Sequence, residues 1–70
     1  MASARKLHTS RYKLHSSSNW ITVNWNHVEY ITQFKLEGEV IGTTIYFNSG
    51  NSVSIEEGFS SVEHDMKFGN

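Results

Sequence analysis

The side chains of this 70-residue sequence best suited to acid–base or metal chemistry are its four histidines and seven carboxylates. His8, His15, His27 and His64 fall one each in an N-terminal polar stretch, a strand, a corner and a helix. A zinc site needs three or four ligands converging from fixed spacings, and the chain has no cysteine and no tight histidine pair to supply them. His64 and Asp65 are neighbours, but consecutive positions on a helix point about 100° apart and make no ready pair. Gly38 and Gly42 are spaced as a turn and lead into no helix, so no phosphate cradle is read there. No nucleophile–base–acid set can be named. The sequence predicts a non-enzymatic protein without metal or cofactor.

Aromatics and charge asymmetry carry more. Two Trp, three Tyr and four Phe are more rings than one thin core encloses. Phe34, Phe47 and Phe59 fall on core-phase positions, and core is their plain reading. Trp20, Tyr30 and Tyr46 fall on the opposite phase, and Trp25 sits at a corner. Exposed Trp and Tyr are common anchors in interfaces, being large, rigid and half polar. These four are therefore the candidate partner-binding residues. A second small core layer under the N-terminal arm, or burial between copies, accounts for them equally well.

The net charge of −1 conceals a basic arm on an acidic body. Up to Ser18 the chain holds Arg5, Lys6, Arg11 and Lys13 and no acid; from Asn19 onward two lysines face all seven acids. Such an arm suits nucleic acid or the acidic face of another copy, while its plain reading is a solvated terminus. In the nucleic-acid reading Arg5, Lys6, Arg11 and Lys13 contact phosphates, and Tyr12, Trp20 or Trp25 stacks on bases.

Short strands must position these residues. Seventy residues make one domain, and a chain this short buries only about 60% of its unfolded surface. Without disulfides, the apolar core or self-association must hold it. No stretch approaches the roughly 20 apolar residues that span a bilayer, and residues 1–6 lead into no apolar run. A cytoplasmic protein without a secretory signal is expected. Residues 1–10 are polar and aperiodic and read as a flexible basic arm, and residues 11–70 as a single β-rich domain.

Within that domain Tyr12 and Leu14 alternate with polar neighbours, Ser16-Ser17-Ser18-Asn19 is a turn, and Trp20-Ile21-Thr22-Val23 returns. Ile21 and Val23 share one face. Val28 and Ile31 are three apart, which predicts one 3₁₀ or helical turn. Phe34 and Leu36 then point one way, and Gly38 and Gly42 bracket a turn around Glu39-Val40-Ile41. Thr43-Thr44-Ile45-Tyr46-Phe47 and Ser52-Val53-Ser54-Ile55-Glu56 form a second hairpin, with Gly50 supplying a positive φ in its turn. Phe59, Val62 and Met66 make the stripe of a short helix that covers the sheet, with Ser60 and Glu63 as a capping box and Gly69 as its stop. The fold class is mainly β: a small antiparallel sheet of four to five strands, SH3-like or an open barrel, with a short C-terminal helix.

From about Arg11 to Phe68 this order of features resembles the FlbD family, small bacterial proteins associated with flagellar gene clusters. Trp20-Ile21-Thr22-Val23-Asn24 looks like that family's second strand and corner, and His27-Val28-Glu29-Tyr30-Ile31 like its anchor turn. Thr44-Ile45-Tyr46-Phe47-Asn48-Ser49-Gly50 is similar to its hairpin, and Ser54-Ile55-Glu56-Glu57 to the approach to its helix. Trp25 stands where the family has a corner proline, Gly58 where it has a capping serine, and the arm before Arg11 has no counterpart. The resemblance implies a small bacterial or phage-encoded scaffold. A fainter similarity to the β-hairpins of LytTR-type DNA-binding domains is analogy at the level of fold.

The functional expectation is a protein-interaction or regulatory module that binds a partner protein or itself, as a homo-oligomer, through exposed aromatics and strand edges. Nucleic-acid binding through the basic arm is the alternative. A small anionic ligand held between copies is a third class, which nothing in the sequence selects.

Overall fold

The computed structural model describes residues 8–68. Arg5, Lys6 and most of the expected arm, together with Gly69, lie outside the described residues. Strands β1 (Thr9–Lys13) and β2 (Trp20–Asn24) form an antiparallel hairpin with Thr9 opposite Asn24 and Lys13 opposite Trp20. The serine cluster closes it: the Leu14 N–H donates to the Asn19 carbonyl at 2.9 Å, and the Asn19 N–H to Ser17 Oγ at 3.2 Å. Alternation turns Ser10, Tyr12, Ile21 and Val23 inward and Arg11, Lys13, Trp20 and Thr22 outward. β1 begins at Thr9, and Ser10 is buried, so these two residues, expected in the arm, belong to the sheet.

Residues Trp25–His27 form one 3₁₀ turn, capped by Asn24, whose Oδ1 accepts the Asn26 N–H at 3.0 Å. The chain then runs as a meander of β3 (Val28–Leu36), β4 (Glu39–Phe47) and β5 (Ser52–Ile55), paired in that order. Val28 and Ile31 both pack against the core, but a bulge brings them to one face where a helical turn was expected. Val28 lies opposite Phe47 and Tyr30 opposite Tyr46. Glu29 is therefore the extra residue, and the phase of the strand flips across it.

That flip also corrects Phe34. No irregularity separates Tyr30 from Phe34, so Phe34 shares the face of Tyr30, opposite Gly42, and not the face of Ile31 and Ile45. Its half-buried ring meets His15 edge-on at 4.9 Å. Leu36 is 55% exposed. The β3–β4 turn is only Glu37-Gly38, with φ of 52° and 86°, the left-handed pair of a tight hairpin. The segment 39–42, expected as a turn, is strand.

The helix α1 (Phe59–Phe68) lays Val62, fully buried, and Met66 against the core. The Val62 N–H donates to the Gly58 carbonyl at 3.1 Å, so Ser60 lies inside the first turn and is not the cap. Tyr12, Val23, Trp25, Ile45, Ile55 and Val62 form the buried core, each aliphatic member contributing roughly 1.5–3 kcal/mol by leaving water. The protein is thus mainly β: a two-stranded and a three-stranded antiparallel sheet with one C-terminal helix. The sheets share that core, and among the described residues one isolated backbone bridge, Leu14 to Ile55, joins them, flanked by His15 N–H to the Ser54 carbonyl at 2.9 Å and Glu56 N–H to the Lys13 carbonyl at 3.1 Å. Among the described residues no helix is long and apolar enough to cross a membrane.

Candidate functional site

Of the four candidate anchors, Trp25 does not reach the surface. It is 6% exposed, because the 3₁₀ turn folds its indole back over β1. There its Nε1–H donates to Ser10 Oγ at 2.9 Å, with the Tyr12 ring edge-on at 6.3 Å and the His8 ring tilted at 6.2 Å. A corner has no period-two phase, so the sequence offered no signal for its direction. Trp25 is a core residue, and it is withdrawn from both the partner-binding and the base-stacking sets.

Tyr12 is withdrawn from base stacking for the same reason. It is 4% exposed, and its hydroxyl donates to Asp65 Oδ2 at 2.6 Å. His8 Nε2–H donates to the Asp65 carbonyl at 3.1 Å, one of the last four helix carbonyls, which have no partner within the helix. Two β1-side residues therefore hold the C-terminal half of α1 by both the side chain and the backbone of Asp65. No local signal could have found this contact across 53 and 57 residues. Burial first, and the Asp65 carboxylate second, push the Tyr12 phenol above its ordinary range.

The sign of the consequence follows from linkage. A phenol whose folded-state value is raised binds its proton more tightly folded than unfolded, so its contribution is complete below about pH 10 and falls as pH rises beyond it. We expect the urea midpoint to decline from about pH 10 upward, and Tyr12→Phe to flatten that decline. Midpoints measured from neutral to alkaline pH check this; an unchanged slope in the variant would detach the decline from Tyr12.

On the far side of Asp65, His64 Nδ1 comes within 3.9 Å of Asp65 Oδ1. The neighbours meet more closely than helical geometry suggested, yet His64 is 67% exposed, so the pair is a surface one of small energetic value. The adjoining open hollow is lined by Glu57, Ser60, Ser61, His64 and Asp65. Among the described residues no three His, Asp or Glu side chains gather to hold a metal ion.

The remaining anchors form two separate surfaces. Tyr30 and Tyr46 are directly opposite on β3 and β4, their rings stacked at 4.5 Å and 18°. Tyr30 is 49% exposed and Tyr46 half-buried. They occupy the sheet face opposite Ile31 and Ile45, together with Thr32, Phe34, Thr44 and Ser54; Thr44 and Ser54 join hydroxyls at 3.0 Å. At the tip of the same hairpin Leu36 and Val40 are exposed. Leu36 shares the tyrosine face and Val40, opposite Lys35, the other one; sequence reasoning passed over both because it gave Leu36 the phase of Phe34 and set Val40 in a turn.

Trp20 belongs to the other sheet. It stands 59% exposed on the outer side of the β1–β2 hairpin, with the Arg11 guanidinium 5.7 Å from its ring centre and Lys13 opposite it in register, a cation–π arrangement. No family model, curated protein or solved structure matches the chain.

Proposed function

We propose that this chain is a non-enzymatic interaction module that acts in the cytoplasm and docks a protein surface onto the outer face of its β3–β4 hairpin. The observation that carries the reading is the stacked Tyr30–Tyr46 pair, held open on the sheet face turned away from the core, with Leu36 exposed beyond it on the same face. Two stacked rings are already ordered, so a partner that covers them loses little side-chain entropy on binding. Absence of cysteine suits a reducing compartment. The FlbD-like resemblance, with a bacterial or phage origin and a regulatory role, belongs to the same proposal. So does the description of all five strands as one open, SH3-like layer in the order β2-β1-β5-β4-β3; its support is the Leu14–Ile55 bridge.

A second reading has its own observation. Arg11, Lys13 and Trp20 share the outer side of the β1–β2 hairpin, where cations contact phosphates and an indole stacks on a base. In the sequence, Arg5 and Lys6 add two further cations to this reading.

One experiment separates the two. Tyr30→Ser/Tyr46→Ser and Arg11→Ser/Trp20→Ser chains are each checked for native circular dichroism. They are then assayed for capture of partner protein from the native host and for binding of a labelled single-stranded oligonucleotide at low salt. Docking through the tyrosine face predicts that the first variant loses about tenfold or more of the captured protein and that the second retains it. Oligonucleotide binding lost only in the second variant would move the function to the other hairpin. Capture that survives the tyrosine variant would overturn the proposal.

A further inference from the structure

β3 is the outermost strand of the three-stranded sheet, paired with β4 on one side only. Its sequence reads Val28-Glu29-Tyr30-Ile31-Thr32-Gln33-Phe34-Lys35-Leu36. Laid antiparallel on a copy of itself about Thr32, it is self-complementary. Thr32 meets Thr32 once on the axis, while Ile31 meets Gln33, Tyr30 meets Phe34 and Glu29 meets Lys35 twice each; Val28 lies beyond the bulge on the core face and does not extend the match. On the outer face aromatic meets aromatic and threonine meets threonine, and on the other face the one acid of the strand meets its one base. We infer that the partner on this edge is a second copy of the chain, joined β3 to β3 in this register with a two-fold axis through Thr32. The inference rests on the interaction reading above and gives it a specific occupant.

The geometry of the edge supports this choice. In an antiparallel pair, residues directly opposite one another point to the same face. A register centred on a residue therefore sets the axis perpendicular to the sheet and keeps the faces of the two copies together. The outer faces, with Tyr30, Phe34 and Tyr46 from each chain, become one continuous aromatic surface on a six-stranded sheet, and both cores lie on the other side.

Neighbouring registers are poorer. A shift of one step along the strand that centres on Gln33 sets Glu29 against Glu37 and Ile31 against Lys35. A shift that centres on Ile31 leaves Glu29 facing Gln33 and Lys35 facing His27. An exposed lysine on an edge strand ordinarily discourages pairing. Here Glu29 and Lys35, both exposed, favour the register that neutralises them. The interface is isologous, as a two-fold dimer requires.

The chain has no cysteine, which permits a direct test. Thr32→Cys places two thiols opposite each other across the axis, within the Cα separations that a disulfide spans. Mild oxidation is expected to link this variant into a dimer at least about tenfold faster than Thr22→Cys, an exposed control on β2. Independently, Glu29→Lys and Lys35→Glu each put like charges opposite one another twice per dimer and are expected to weaken self-association about tenfold. An equimolar mixture of the two variants restores opposite charges and is expected to recover the dimer, read by sedimentation.

Thr32→Cys that links no faster than the control, or a mixture that fails to recover, overturns the β3 register. If that happens while the tyrosine variant still abolishes capture of a partner protein, self-pairing falls and the interaction reading stands. If the cross-link forms and capture is indifferent to the tyrosines, the dimer stands and the docking face fails.

Discussion

Gly42→Ala unfolds a large share of the protein at room temperature. Gly42 is buried within β4, and a Cβ added there would sit on the Ile55 carbonyl oxygen, with the Ile55 carbonyl carbon at 3.2 Å and Glu56 Cα at 3.5 Å. All three are backbone atoms and cannot rotate aside. Relief requires β5 to move, and β5 is fixed by its register with β4, with Thr43 opposite Ile55, and by the bridge from Ile55 to Leu14. Overpacking against backbone at such a crossing costs at least about 3 kcal/mol. A single core of this size supplies only about 3–5 kcal/mol in all.

Gly38→Ala is the control. Nothing lies within 4 Å of its added Cβ, and only its φ of +86° opposes a side chain, a cost of about 1–2 kcal/mol. Thermal denaturation followed by circular dichroism orders the two, at roughly 4–8 °C per kcal/mol for a domain of this size. A Gly42→Ala chain that melts no lower than Gly38→Ala would contradict the close approach of β4 and β5.

The two tryptophans respond in opposite ways to the same change. Trp25→Ala is expected to cost about 3–5 kcal/mol, because it empties the core beside Tyr12 and leaves Ser10 Oγ, buried with its residue, without the indole donor. Trp25→Phe keeps most of the ring and isolates the loss of that donor, about 1–3 kcal/mol. Trp20→Ala removes a ring that is 59% exposed and one Arg11 contact, and is expected to cost no more than about 1 kcal/mol. Urea denaturation measures all three.

Fluorescence gives an independent check. In Trp20→Phe the remaining emission, from Trp25, is blue-shifted and shielded from iodide; in Trp25→Phe the emission of Trp20 is red-shifted and quenched. Equal quenching in the two variants would place Trp25 at the surface and restore it as an anchor.

What was legible in the sequence was whatever a few consecutive residues decide. Ile21 and Val23 share the inner face, Gly50 takes a φ of +96° in its turn, Ser52–Ile55 pairs with β4, and Val62 with Met66 seats the helix. Alternation, turn chemistry and the helical stripe act over one turn or one hairpin, so the chain alone determined a β-rich class with a terminal helix. It also set Trp20, Tyr30 and Tyr46 off the core phase. Tertiary structure decided the rest. A single extra residue at Glu29 inverts the strand phase, turning Ile31 inward and Phe34 outward, and which residue of a strand bulges depends on the strand it pairs with. Whether Trp25 and Tyr12 are wet or dry depends on Ser10 and Asp65 arriving from distant parts of the chain. Burial is a property of neighbours, and those neighbours meet only when the fold closes.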